Sequence, residues 1–570
     1  NAQGASSSSS SSKPTPWWKR PRLNRSHAIL GFALALTIAV GIGIVVGALL
    51  RGDDGKSSTS DNDEGRLEDG AASGSPPSSR PTEEEPSVVG FGTEDASNAI
   101  IAIGGGNEEG GSSSLFTTIL TPTSQSPSSS PFPSAYPTVT PPSWEPLGQV
   151  LHGHFRGDLF GNSLALRADG TRLVVGAPLV PAVNTALDGD NDSAGQFRVF
   201  DWSGDTIHSF VGDPKNDTNV QSGNNNNNIT SNWIQIGNAI DGESGDWAGY
   251  SVDISSNGDI VAVGSTFYGG CHGYAVGRVR VYSYNYGTTN ETNVWNRMGS
   301  DIIGESENDS SGHDVALSED GRIVAIGTPY NRGGGFDAGH VRVYRWNEED
   351  AEWTKMGRDV DGNAGTLAGY SIALAADGFT LAVGSPYDGN GSVRVYRWSD
   401  ASDDWTPLGQ RIVGGSESSN AGHAVALSSA GTTVAIGAIY SKGTAGHVRV
   451  YRYAGDDDGK WYQAGGDIDG EAPKDQSGQS VDLSSDGNTL AVGASYNDGN
   501  GDNSGHVRVY RFDDAISDWT QVGRDIDGEG AGKMMGQSVS LSADGTVVAV
   551  GSTGDTSGKG GQVHVFHITD

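Results

Sequence analysis

The sequence predicts an all-β fold: a closed, seven-bladed β-propeller, preceded by a transmembrane helix and a disordered stalk. Three observations carry this expectation. Glycine and proline number 86 and 22 among 570 residues, too many breakers for a helical protein. From Trp144 onward, three unrelated markers each recur seven times in the same order. Before them lie an uncharged apolar run and a Ser/Pro/Thr-rich stretch.

Residues 1–27 read as a basic cytoplasmic tail, with Lys13, Lys19, Arg20, Arg22 and Arg25 and no acid. Residues 28–50 follow, 23 positions without a charge. At about 1.5 Å per residue they span a bilayer core, so a single transmembrane helix is expected. Basic residues before it and Asp53 and Asp54 after it orient the N-terminus to the cytoplasm and the rest outside or in a lumen. Gly43 and Gly47 form a GxxxG, a spacing that supports weak dimerisation. Residues 51–143 are acidic and Ser/Pro/Thr-rich, with apolar runs too short for a core; they read as a disordered stalk.

Residues 144–570 read as the propeller. A D-G-x-x-x-A-V-G-type turn and strand ends at Gly176, Gly264, Gly327, Gly384, Gly437, Gly493 and Gly551. A W-x-x-x-G opens at Trp144, Trp233, Trp295, Trp353, Trp405, Trp461 and Trp519. An aromatic closes a third strand at Phe200, Tyr282, Tyr344, Tyr396, Tyr451, Tyr510 and Phe566. Each unit therefore offers four strands: W-x-x-x-G-x-x-I, G-x-S-V-A-L-S, T-L-A-V-G and G-H-V-R-V-Y-R-W. Asp486-Gly487 exemplifies the hairpin that joins the second to the third of these. Four-stranded units of this length, repeated radially, make a propeller.

Blade one reads Phe160-Gly161, Asp169-Gly170 and then Gly176-Ala177-Pro178. This pattern resembles the FG-GAP repeats of integrin α-subunit propellers and of bacterial and protist surface proteins, and the resemblance covers residues 144–570. It implies that each blade begins with the FG strand and ends with the Trp strand. Trp144 then starts the outer strand of the last blade and pairs beside Val563 to Phe566, which closes the ring without a free edge. The resemblance also implies that ligands bind the face whose loops vary.

Composition excludes several classes. A formal net charge of −34 argues against nucleic acid as a partner. A single cysteine, Cys271, excludes a disulfide framework. No G-x-S-x-G, H-E-x-x-H or Walker loop occurs, so no catalytic residue is assigned. His340, His447 and His506 share one repeat position, His313 and His423 another. Arg280, Arg342, Arg394, Arg449 and Arg508 share a third. Residues repeated from blade to blade read as structural, and the arginines as blade-to-blade bonds. The calcium hairpin of integrin blades is shortened here and its ligands are missing. Asp188, Asp190 and Asp192 offer alternating carboxylates for calcium elsewhere, without the EF-hand glycine or glutamate. Arg51-Gly52-Asp53 and Arg156-Gly157-Asp158 are RGD tripeptides, but this domain resembles a reader of that signal.

The connectors between blades carry Asp241, Glu243, Glu305, Asp361, Glu417, Asp469, Glu471, Asp527 and Glu529 on the face opposite the D-G hairpins. This acidic face is the expected ligand-binding surface. Asn191, Asn216, Asn228, Asn290, Asn308 and Asn390 stand in N-glycosylation sequons. Together these features point to a single-pass membrane protein whose propeller recognises an extracellular protein or glycan. Two alternatives stand beside it: a propeller enzyme acting on polysaccharide, which needs a central cluster of non-repeating polar residues, and a structural matrix component.

Overall fold

The computed structural model describes residues 142–182, 193–204, 231–269, 275–287, 294–415, 419–455, 458–554 and 560–569. The chain divides into two compact units, Asn1–Tyr136 and Pro137–Asp570, and every described residue lies in the second. The segments predicted as a tail, a transmembrane helix with Gly43 and Gly47, and a stalk, up to residue 141, lie outside the described residues. So do Asp188, Asp190, Asp192, Glu417, Cys271 and the sequons at Asn191, Asn216, Asn228 and Asn290. Among the described residues no helix is long and apolar enough to cross a membrane.

Seven antiparallel sheets make up the described unit. Blade four shows the plan. Its inner strand Ile372–Leu374 pairs with Thr380–Ser385, which pairs with Ser392–Ser399. The outer edge consists of two pieces, Asp404–Pro407 and Ile412–Val413, both paired to Ser392–Ser399. The W-x-x-x-G-x-x-I segment predicted as one strand is thus broken, and every sheet counts five segments instead of four. The cause is the glycine of that segment. Gly409 adopts φ +73, a left-handed conformation that turns the chain between the two pieces.

Inner strands contact one another in sequence. Leu164–Leu166 touches both Ala248–Ile254 of the next blade and Met535–Leu541 of the last, so the ring is closed. Closure is completed at the outer edge of blade seven. There Ser143–Pro146 pairs with Gln562–Thr569, Trp144 opposite Ile568 and Pro146 opposite Phe566. Leu151 continues the edge opposite Val563.

The core lies between blades. Seven apolar clusters are present, each built from two neighbouring sheets. Along Thr380–Ser385, Leu381 and Val383 pack with blade three, while Ala382 packs with blade five. Both faces of these strands are buried, which is why the second strand reads as an apolar run rather than an alternation.

Candidate functional site

Two loop sets share one face of the ring: the connectors between blades and the loops from second to third strands. Seven backbone positions recur at the end of the connectors, just before each inner strand, and all are left-handed without being glycine. They are Leu159, Trp247, Ser310, Leu367, Asn420, Gln476 and Met534, with φ between 52 and 59. Such a conformation is costly for bulky side chains and persists only where the surroundings impose it. Here the fold fixes the backbone, while the side chain differs from blade to blade.

Behind these positions the inner strands open on Asn162, Tyr250, His313, Tyr370, His423, Gln479 and Gln537, one per blade. Four form an arc of rings. Tyr250 lies 5.2 Å from His313, His313 4.6 Å from Tyr370, and Tyr370 5.1 Å from His423, centroid to centroid. Hydrogen bonds lock the arc: His313 Nδ1 donates to the Tyr370 carbonyl at 2.9 Å, and Tyr250 Oη donates to His313 Nε2 at 3.4 Å. Burial lowers His313 and His423 to about 4, so both imidazoles are neutral at pH 7. The phenol of Tyr370 is raised well above its usual value, first by burial and then by Tyr250, Tyr330, Tyr387 and Tyr440 nearby. Tyr330, Tyr387 and Tyr440 all follow second strands, at one repeat position that Phe267 and Tyr496 share. Phe267 stacks on Trp247 at 3.9 Å, and Tyr387 is 51% exposed. The axial mouth of this face is therefore an aromatic funnel lined with polar groups. Sequence reasoning placed His313 and His423 at one repeat position but missed Tyr250 and Tyr370 beside them. The available signal was a constant frame, x-G-x-S/A/D, around one residue that changes in every blade.

Deeper along the axis stand three carboxyls. Asp253 Oδ2 accepts from Leu317 N at 2.6 Å, Asp314 Oδ2 from Ile372 N at 2.7 Å, and Asp482 Oδ2 from Leu541 N at 2.7 Å. Each ties its inner strand to the next blade, where the strand edge would otherwise leave an amide unpaired. Burial is the main cause raising Asp253 and Asp314 to about 7 and Asp482 to about 6.

The predicted acidic surface is largely tied down: the connector glutamates bond arginines of the following blade, and the aspartates of the short outer pieces face polar groups of their own blade. Glu243 reaches Arg278 at 3.0 Å and also pairs with Arg280, which holds its carboxyl below the usual range. Glu305 lies 3.7 Å from Arg342, and Glu471 pairs with Arg508. Asp241 accepts from Gln196 at 2.6 Å and Asp469 from Lys442 at 2.6 Å, while Asp361 lies 4.0 Å from His340. Asp527 sits opposite His506 in the sheet, and Glu529 faces His564. These carboxylates ring the face, yet several of their outer oxygens are already committed to a cation. Asp158 of the second RGD is 1% exposed and accepts from the amides of His154, Phe155 and Phe160, so it closes a turn rather than presenting a signal.

On the opposite face, between blades two, three and four, an open cavity of about 700 Å³ is lined by Asp259, Glu319, Asp320, Arg322 and Asp377. Its walls are the D-G hairpins, nearly the same in every blade. We place the candidate site at the axial mouth, where the fold is fixed and the side chains are not.

Residues 468–510 match the FG-GAP repeat family, from the short outer piece of blade five through the third strand of blade six. The match falls inside the seven-sheet ring, and the two together support a seven-bladed propeller that carries FG-GAP repeat sequence. No curated protein matches the chain. Among solved structures it is similar to the periplasmic gluconolactonase PpgL of Pseudomonas aeruginosa, at 15% identity and TM-score 0.41, over 65% of this chain and 86% of that one. It is also similar to Sqt1 from Chaetomium thermophilum, at 16% identity and TM-score 0.40, over 73% and 87%. A third is hydrazine synthase from Kuenenia stuttgartiensis, at 11% identity and TM-score 0.41, over 76% and 99%. Likenesses this distant assign no activity to this chain.

Proposed function

We propose that this chain is a single-pass membrane protein of the cell surface whose propeller head recognises an extracellular protein or glycan through the axial mouth of one face. The observation that carries the reading is the set of seven left-handed connector positions, identical in backbone and different in side chain, around the funnel of Tyr250, Tyr370 and Tyr387. Aromatic faces stack on sugars and on apolar or cationic side chains, and the neighbouring amides and imidazoles supply direction. The acidic surround favours a neutral or basic ligand over an acidic one. The anchor rests on the apolar segment 28–50 and on the charges that flank it.

Glycan and surface-protein arrays probed with the full chain in detergent test this. One saturable ligand class is expected, weakened at least about tenfold by Tyr387→Ala or Trp247→Ala, in line with aromatic anchors at interfaces. Binding that survives both substitutions unchanged would remove the mouth from consideration. The second reading, a propeller enzyme on polysaccharide, has one observation in its favour. The axial carboxyls of Asp253 and Asp314 are raised to about 7, a suitable range for general acid work. Turnover of a bound polysaccharide, lost in Asp314→Asn, would decide for it.

A further inference from the structure

At the rim of the same face, one repeat position holds a buried cation in blade two and a buried histidine in blades three, five and six. Arg278 begins the third strand of blade two and is 1% exposed. Its guanidinium bonds Asp246, lies 3.0 Å from Glu243 on the preceding connector and 3.0 Å from Asp301 before the short outer piece. Blades three and six keep the two outer carboxylates, as Glu305 with Asp359 and Glu471 with Asp525. His340 and His506 replace the arginine. An imidazole is shorter than a guanidinium, so the carboxylates lose the cation that sat between them. In each of these blades the histidine nitrogen and the two carboxylates bring one ligand atom apiece within 4.8 Å of one another.

We propose that blades three and six each bind a divalent transition-metal ion, one through Glu305, His340 and Asp359, the other through Glu471, His506 and Asp525, where blade two holds the Arg278 guanidinium. One nitrogen and two carboxylate oxygens form a donor set that zinc accepts, with a fourth position left for water. The histidines are prepared for it. His340 is 1% and His506 3% exposed, and His340 Nε2 has no hydrogen-bond partner.

Neighbouring cations rank the sites. In blade three the Glu305 carboxylate has Arg342 at 3.7 Å, and Asp359 has the partly exposed Lys355 at 2.5 Å. In blade six Arg508 pairs with both Glu471 and Asp525. Blade three is therefore the tighter site. Blade five has the cluster His447, Asp467 and Asp469, but there Lys442 Nζ donates to both oxygens of Asp469 at 2.6 Å and Arg449 to both oxygens of Asp467, so neither carboxylate keeps an oxygen clear of a cation, whereas in blade three Lys355 takes one oxygen of Asp359. An ion in blade three or six would fasten the preceding connector to the blade, as Arg278 does in blade two.

Titration of the untagged, chelator-treated full chain with Zn²⁺, followed by calorimetry, tests the assignment, with Ca²⁺ as a hard-ion comparator. Two zinc ions per chain are expected, with little competition from Ca²⁺. His340→Gln should leave one, and His340→Gln with His506→Gln should leave none. Glutamine already occupies this position in blades one and seven, as Gln196 and Gln562, so the fold has precedent for it. Glu305→Gln, on the exposed side of the site, should weaken the tighter site about tenfold and so covers the case in which the histidine variants do not fold. X-ray absorption should show mixed nitrogen and oxygen ligands in the wild type. Absence of saturable zinc uptake, or a stoichiometry of two retained in the double histidine variant, would overturn the proposal.

Discussion

Trp144 Nε1 donates to the carbonyl of Val522 at 2.9 Å, joining residues 378 apart. The same bond recurs around the ring, from Trp233 to Leu147, Trp353 to Met298, Trp405 to Met356, Trp461 to Leu408 and Trp519 to Ala464. Each indole thus latches its blade to the outer strand of the blade before. Trp295 is the exception, with a buried Nε1 that has no partner. Replacing an indole by phenylalanine removes the bond but keeps most of the apolar ring. Trp144→Phe should therefore lower the unfolding free energy by about 1–2 kcal/mol, the net worth of the bond plus the stranded carbonyl. Trp295→Phe should cost less. Chemical denaturation of both variants measures the difference, and equal losses would assign the tryptophans to packing alone.

A second latch sits nearer the axis. A Cβ on Gly551 would stand 2.1 Å from the carbonyl oxygen of Gly161 and 2.3 Å from Ser538 Oγ, and the first of these can yield only by moving backbone. The glycine that ends the second strand and the glycine of the FG pair are thus two sides of one contact between neighbouring blades. Gly551→Ala is expected to destabilise the ring by about 3 kcal/mol, the upper range for overpacking. A change below 1 kcal/mol in the same assay would show that the seam can open freely.

This explains what was legible in the sequence. Trp, Gly and the V-R-V-Y strand are dictated by contacts that the ring repeats seven times, so they appear as periodic markers and reveal blade number, phase and closure. The break in the outer strand was less legible, because Gly409 looks the same whether it sits in a strand or turns the chain. The acids of the connectors read as free surface because their partners lie far along the chain, as Glu243 and Arg280 do, 37 residues apart. The axial ring escaped detection for the opposite reason. Asn162, Tyr250, His313 and Gln479 occupy one place in space but share no chemistry, and a repeat search discards what differs.

The two sequons in described residues differ in access. Asn308 is exposed, on a connector, with φ +69. Asn390 is half-buried, and its Nδ2 donates to the Gly415 carbonyl at 2.6 Å, so a glycan there would break an existing bond. Expressed through a eukaryotic secretory pathway, Asn308 should carry glycan at high occupancy and Asn390 at low. Site-resolved mass spectrometry reads both, and the reverse order would mean that modification precedes formation of the blade-four loop.

The axis predicts a pH dependence with two opposing parts. Asp253 and Asp314 have folded-state values near 7, above the ordinary 3.8. Their contribution to stability is fully present below about 4 and is lost as pH rises to about 7, because the ionised form is the one burial penalises. His313 and His423 have folded values near 4, below the ordinary 6.5. Their contribution is present above about 6.5 and is lost as pH falls toward 4. The two trends share one window and offset each other, so the wild-type melting temperature should change little across it. Single substitutions separate them. Asp253→Asn removes a group that weakens the ring at high pH, and its melting temperature relative to wild type should climb as pH rises from 4 to 7. His313→Gln, which places there the residue found in blades six and seven, should gain relative to wild type as pH falls over the same range. Parallel melting curves for wild type and both variants at every pH would mean that these groups are solvated in the ring and that the axis is wide enough to admit water.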